Sequence, residues 1–196
     1  PHFGQKKSRR PFSDFLLGMP LDGGYLVVKV RGKLTQCEAD KQEFRERVDM
    51  KIKEIKENKK QFLPLLLLAD EQEDMINRYL DKGTMYVLDD DGVKCECVVT
   101  DEGNGILEIK NIATEPEYQG KGYGKALIDF VATTYKGEYS TLQVGTGDSP
   151  STIPFYEKCG FIRSHSIKDF FTDNYDHPIY EAGTQLIDMI YLRKKI

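Results

Sequence analysis

Residues 111–128, Asn-Ile-Ala-Thr-Glu-Pro-Glu-Tyr-Gln-Gly-Lys-Gly-Tyr-Gly-Lys-Ala-Leu-Ile, constrain this chain more than any other stretch. An apolar, β-prone run (Ile109, Ile112, Ala113) stops at Pro116, and glycines then stand at alternate positions 120, 122 and 124. Directly behind them Ala126, Leu127, Phe130 and Val131 recur at helical spacing. A strand, a glycine-rich turn and a helix in that order form an anion site. The first turn of a helix leaves N–H groups unpaired at the positive end of its dipole. Glycine lets the backbone bend sharply and lets a phosphate approach it closely.

The spacing narrows the choice of ligand. A Walker loop, G-x-x-x-x-G-K-[ST], needs a glycine where Lys125 stands, and the dinucleotide fingerprint G-x-G-x-x-G needs one at the same place. Both fail. What remains is Gln119-Gly-Lys-Gly-Tyr-Gly124, preceded by Ala113-Thr-Glu-Pro116. It resembles the acetyl-CoA loop of the GNAT N-acetyltransferase superfamily. Ile153-Pro-Phe-Tyr-Glu-Lys-Cys-Gly-Phe161 resembles the downstream signature of the same family, in the family's order. Toward the C-terminus, D-x-F…N-Y-x-x-P-I-Y-E-x-G…D-M-I-x-L is similar to a bacterial subgroup, so the resemblance runs from about Met50 to Leu192. It implies an α/β fold with a mixed central β-sheet flanked by helices, and acetyl-CoA as co-substrate.

A chain of 196 residues, 39% hydrophobic and 31% charged, suits one globular domain with an appendage. The apolar run 63–69 is far short of the roughly 20 residues that span a bilayer, so no membrane partner is expected. Lys6, Lys7, Arg9 and Arg10 precede only a brief apolar patch, which is not a signal-peptide pattern. Cys37, Cys95, Cys97 and Cys159 lack zinc spacing and read as reduced thiols, with Cys95 and Cys97 on one strand face; a cytoplasmic setting and no metal are expected. Residues 1–49 carry ten Lys/Arg against seven Asp/Glu (+3), leaving 18 against 25 (−7) for residues 50–196. A domain at −7 argues against nucleic acid and suits a cationic substrate, although a solvated acidic surface accounts for it equally well.

Residues 50–196 read as the acetyltransferase domain. The pattern predicts a strand over 50–55, a short helix over 61–69, and a second helix capped by Asp70 and ended by Gly83. Strands 84–88 and 93–100 flank the turn Asp89-Asp-Asp-Gly92. Strand 105–114, helix 122–136, strand 139–144, helix 150–158 and strand 161–167 follow, then a loop over 168–183 and a last strand over 184–192. Residues 1–49 lie outside the resemblance and read as a peripheral N-terminal extension, an added leader or upstream translated sequence. Within them 25–30 could form a strand, but the segment has too few apolar residues for a core of its own.

The resemblance assigns roles residue by residue. Backbone N–H groups of Gln119, Gly120, Lys121, Gly122, Tyr123, Gly124 and Lys125 hold the CoA pyrophosphate. Ile112, Ala113 and Thr114 pair with the pantetheine arm like an added strand, which fixes the thioester. A main-chain N–H there would stabilise the oxyanion. Tyr156 is the candidate general acid for the leaving thiolate, against a purely core role; a phenol is protonated at pH 7. Glu108, five residues before Ala113, is the candidate base for the amine, against a salt bridge with Lys110. Alternation places Glu108, Lys110 and Ile112 on one face. Ser149 stands where the family has an asparagine that touches the cofactor.

The segment 168–181 interleaves Phe170, Phe171, Tyr175 and Tyr180 with Asp169, Asp173, Asp176 and Glu181. Such a surface can attract an ammonium group and hold it over rings, so Phe170, Tyr175 and Tyr180 are candidate substrate contacts, against a loop whose aromatics simply cover the sheet. The expected reaction is direct acetyl transfer to a primary amine, on a small cation or on a peptide lysine or N-terminus, by a monomer or homodimer. A non-catalytic acyl-CoA sensor on the same scaffold would keep the loop without needing Tyr156 or Glu108.

Overall fold

The computed structural model describes residues 26–27 and 50–196. Strands β1 (Leu26–Val27), β2 (Lys51–Ile55), β3 (Thr84–Asp89), β4 (Val93–Asp101) and β5 (Ile106–Thr114) pair antiparallel in sequence order. β6 (Thr141–Gly147) then joins β5 in parallel. A parallel step needs a crossover, and helix α3 (Tyr123–Thr134) supplies it. Beyond β6 the mixed sheet continues with β10 (Met189–Lys195) and ends on β7 (Ile162–Ile167). Among the described residues no helix is long and apolar enough to cross a membrane.

The two faces of the sheet carry separate cores. On one, α3 and α4 (Thr152–Lys158) bring Leu127, Ile128, Val131, Ile153 and Tyr156 against Cys95, Cys97, Val99, Ile109, Val144 and Leu192. On the other, the short helices α1 (Leu63–Leu66) and α2 (Glu73–Asn77) bring Leu66 and Ile76 against Met85, Val87 and Val98. Cys95 and Cys97 share a face, as alternation requires, and Cys95, Cys97 and Cys159 are buried free thiols.

Simple alternation fails on β5. Val98 pairs with Asn111 but Val99 pairs with Ile109, so Lys110 is an extra residue and the strand is bulged there. The bulge resets the side-chain phase. Ile112 joins the α3 face with Ile109, while Asn111 turns to the α1–α2 face. The expectation that Ile112 shares a face with Glu108 and Lys110 is therefore overturned.

Two other boundaries move. Gln72, not Asp70, is the N-cap of α2, and the helix ends at Asn77 with turns carrying Tyr79 and Leu80 inward. The Asp70 carboxylate is taken up by partners described below. The expected loop at 168–183 contains helix α5 (Phe170–Asn174), and residues 184–185 belong to a small hairpin instead of the last strand. In that hairpin β8 (Tyr180–Glu181) and β9 (Thr184–Gln185) flank Ala182 and Gly183, both at positive φ (49° and 77°), the twist a two-residue turn demands.

Candidate active site

β5 and β6 are in register only from Ile106 opposite Thr141 to Ile109 opposite Val144, yet they continue to Thr114 and Gly147. Past Ile109 no residue of β5 is paired with β6, and the strands open into a cleft of about 510 Å³. Its lining brings together Glu108, Ile112, Ala113, Thr114, Gln119, Tyr156, Phe170, Tyr175 and Tyr180, nine of the expected site residues. The glycine loop continues from Gln119 at one end of the cleft. Ser149 lies apart, in a shallow depression with Pro150 and Ile153, its hydroxyl 2.8 Å from that of Ser151.

Three glycines serve two purposes in the loop. Gly120 (φ 73°) and Gly122 (φ 92°) adopt the left-handed conformation, and a Cβ at either would point into open space. Here the backbone conformation and free approach are what glycine supplies. Gly124 is helical, and a Cβ there would lie 3.2 Å from Phe155 Cζ, so its role is close packing of α3 on α4. Gly122 caps α3 with no side-chain bond, leaving the first-turn N–H groups for a ligand. Lys125 turns to Asp129 at 2.5 Å, and Lys121 lies over the Tyr118 ring at 4.7 Å. Tyr123 donates to Asp90 at 2.5 Å. The side chains of the loop thus have partners, and the backbone is what it presents.

Tyr156 is 5% exposed, packed against Phe155 and Phe161 (centroids 5.1 and 5.7 Å), and lines the cleft. Its hydroxyl has no hydrogen-bond partner among the described residues. Burial, with the nearby thiols and Glu181, pushes the phenol well above its ordinary value, so it is a proton-bearing group at neutral pH. Burial also pushes the Cys95 thiol up to about 12 and that of Cys159 upward, which leaves both as poor nucleophiles.

Glu108 is 5% exposed and held from two sides. Lys110 Nζ donates to Oε1 at 2.7 Å and Gln143 Nε2 to Oε2 at 2.6 Å, while Arg193 Nε donates to Gln143 Oε1 at 2.7 Å. Lys110 also pairs with Glu102 at 3.1 Å. The salt bridge with Lys110 is present, and Glu108 still borders the cleft.

The end of the cleft away from the glycine loop contains groups that sequence reasoning missed. Asp70 lines the cleft and joins two segments across it: Tyr175 donates to Oδ1 at 3.1 Å and Tyr79 to Oδ2 at 3.4 Å. Asn111 Nδ2 in turn donates to Tyr79 Oη at 2.8 Å and to Leu66 O at 3.1 Å. Burial is the main influence on Asp70 and raises its carboxyl, opposed by the tyrosine and backbone donors. Tyr175 stacks on Phe171 (5.5 Å, 24°), and Tyr180, 58% exposed, stands at the rim. The lining charges nearly balance, Asp70, Glu71, Glu108 and Glu181 against Arg78, Lys82 and Lys110, so position rather than net charge governs what binds. Asn111 gave one signal, a carboxamide in an apolar strand; Asp70 gave none.

A mixed sheet opened between two parallel neighbours, with a glycine-capped helix at the end of the opening, is the architecture that the sequence resemblance implied for an acetyl-CoA-dependent transferase. Comparison with known proteins agrees. Residues 81–163 match the acetyltransferase (GNAT) domain family. The N-acetyltransferase YvbK of Bacillus subtilis is 37% identical over 131 residues, 65% of this chain and 84% of that protein. The structure of an IAA acetyltransferase from Bacillus cereus is 37% identical, with a TM-score of 0.70 over 76% of this chain and 100% of that one. A GNAT acetyltransferase from Elizabethkingia anophelis with acetyl-CoA bound is 33% identical, with a TM-score of 0.71 over 75% and 98%. The chain belongs to the GNAT family of acetyl-CoA-dependent N-acetyltransferases.

Proposed function

We propose that the cleft transfers the acetyl group of acetyl-CoA directly to the primary amine of a small cationic acceptor. The observation that carries this reading is the position of Asp70, a half-buried carboxylate in the cleft beside Tyr175 and Phe171. An ammonium group placed there has an anion and ring faces within reach. The buried free thiols support a reducing, cytoplasmic setting.

Acetyl-CoA supplies the thioester. The N–H groups of 119–125 hold its pyrophosphate, and the unpaired edge of Ile112, Ala113 and Thr114 holds the pantetheine arm and offers an N–H to the oxyanion. Tyr156 keeps its proton until the thiolate leaves and donates it from a hydroxyl with no other hydrogen-bond partner among the described residues. Glu108 takes the proton of the attacking amine; each of its oxygens has a second lone pair beyond the bonds from Lys110 and Gln143. No thiol is needed as a carrier, because the nearby cysteines are buried and protonated.

Thiol release from acetyl-CoA against a panel of diamines, amino acids and lysine peptides tests the reading. Small diamines are expected to turn over fastest, and Glu108→Gln to move the pH–rate profile upward. Turnover confined to peptides, or an unchanged profile, would remove the acceptor class or the base respectively.

A further inference from the structure

Glu96 sits in the middle of β4, in register with Val87 on one side and Ala113 on the other, and is fully buried. Among the described residues neither of its carboxyl oxygens has a well-formed hydrogen bond, and the Ala113 backbone N–H is the one donor that acts on it. Asn111 Oδ1, buried on the same face, also has no well-formed hydrogen bond. The register makes the two residues diagonal neighbours: Glu96 opposes Ala113, and Val98 opposes Asn111. Diagonal pairs on one face are within reach of long side chains. Three buried acceptors without well-formed bonds would be costly, and a buried unpaired charge among them costlier still. One proton settles two of the three: one Glu96 oxygen becomes the donor to Asn111 Oδ1, and the other is left to the Ala113 backbone N–H.

We propose that Glu96 is a neutral carboxylic acid whose O–H donates to Asn111 Oδ1, which makes it the positioning residue for the acceptor end of the cleft. With Oδ1 held, the Asn111 amide has one orientation, Nδ2 toward Tyr79 Oη and Leu66 O. The Tyr79 hydroxyl, accepting from Asn111, sends its own proton to Asp70, and Asp70 holds Tyr175. The chain Glu96–Asn111–Tyr79–Asp70–Tyr175 thus links a buried proton to the amine site.

The surroundings agree. Burial pushes the Glu96 carboxyl up to about 8, opposed by the Ala113 backbone N–H. No cation faces it. The titratable groups around it are Cys95 and Cys97 on its own strand and Tyr79 from the helix layer, all raised by burial and neutral at pH 7. Asp70 and Tyr175 stand beyond Tyr79. β3 and β5 present Val87 and Ala113.

Only the kinetic consequence rests on the reading of Asp70 as the amine site, so the test has two arms. In the first, the infrared spectrum at pH 7 should show a protonated-carboxyl C=O stretch that Glu96→Gln removes. Between the ordinary value of 4.5 and about 8, the folded chain holds a proton that the unfolded chain lacks, so wild-type stability falls as pH rises through that window. The melting temperature of Glu96→Gln relative to wild type should therefore climb from pH 4.5 to 8 and level off above it. An absent band, or a difference that does not change with pH, overturns the proposal. In the second arm, Glu96→Gln keeps a donor and should leave amine KM within about 2-fold, whereas Glu96→Leu should raise it by about 5- to 100-fold with acetyl-CoA affinity unchanged. Equal KM in both variants would mean that Glu96 positions nothing. A retained band with an amine KM indifferent to Asp70 would remove the acceptor site and leave the buried proton standing.

Discussion

In the proposed reading, the binding groups at one end of the cleft are main-chain N–H groups that lie within a few residues of each other; at the other they are side chains from segments 105 residues apart, Asp70 and Tyr175. The cofactor end depends on conformation: Gly120 and Gly122 at positive φ, a helix start left uncapped, and a strand edge without a neighbour. The acceptor end depends on contacts, with Asn111, Tyr79, Asp70 and Tyr175 bonded in sequence. Backbone geometry tolerates any side chain that keeps the bend and the clearance. A chain of side-chain bonds fails when any member changes. The first arrangement suits a constant co-substrate and the second an acceptor that differs between relatives.

Three substitutions sharpen or break this contrast. Tyr156→Phe removes one oxygen and keeps the ring packing, so turnover should fall by about 10²–10⁴-fold with little change in acetyl-CoA affinity. Wild-type turnover in that variant would return Tyr156 to a core role. Asp70→Asn keeps one acceptor oxygen for the tyrosines, replaces the other with a donor NH2 and loses the charge, so amine KM should rise by about 10- to 100-fold while acetyl-CoA affinity stays constant. If calorimetry showed acetyl-CoA binding weakened as well, the two ends would not be separable. Gly122→Val places a β-branched residue at φ 92° and should weaken CoA binding by about 5- to 30-fold, from a strain of about 1–2 kcal/mol, with amine KM unchanged. Unaltered CoA affinity there would dismiss the loop as the pyrophosphate site.

The order of elements and the cofactor half could be read from residues 50–196 because their signals are local. Glycine spacing, the helical run behind it and the signature around Tyr156 each lie within a few turns of chain. What could not be read had non-local causes. The bulge at Lys110 reverses the phase of Ile112 and turns Asn111 inward, and it exists only as a mismatch between two strands. Asp70 looked like a helix cap because Asp before a helix usually is one. In the fold, Tyr79 and Tyr175 claim its carboxylate, and Gln72 takes the cap position without a side-chain bond. Glu96 in Cys-Glu-Cys-Val-Val interrupts an apolar strand, but its meaning depends on the partners it lacks among the described residues, which no local pattern shows.

By itself the sequence determined the strand–glycine loop–helix unit and the mixed α/β class, since backbone torsions and short-range periodicity are set by neighbouring residues, while the co-substrate followed from the family resemblance that its motifs carry. Tertiary structure alone decided where β5 and β6 part, that Asp70 and Glu108 border the same cleft, and that Glu96 has no counter-charge among the described residues. Those properties depend on burial and on contacts between distant segments, and desolvation acts on a group only once the rest of the chain has closed around it.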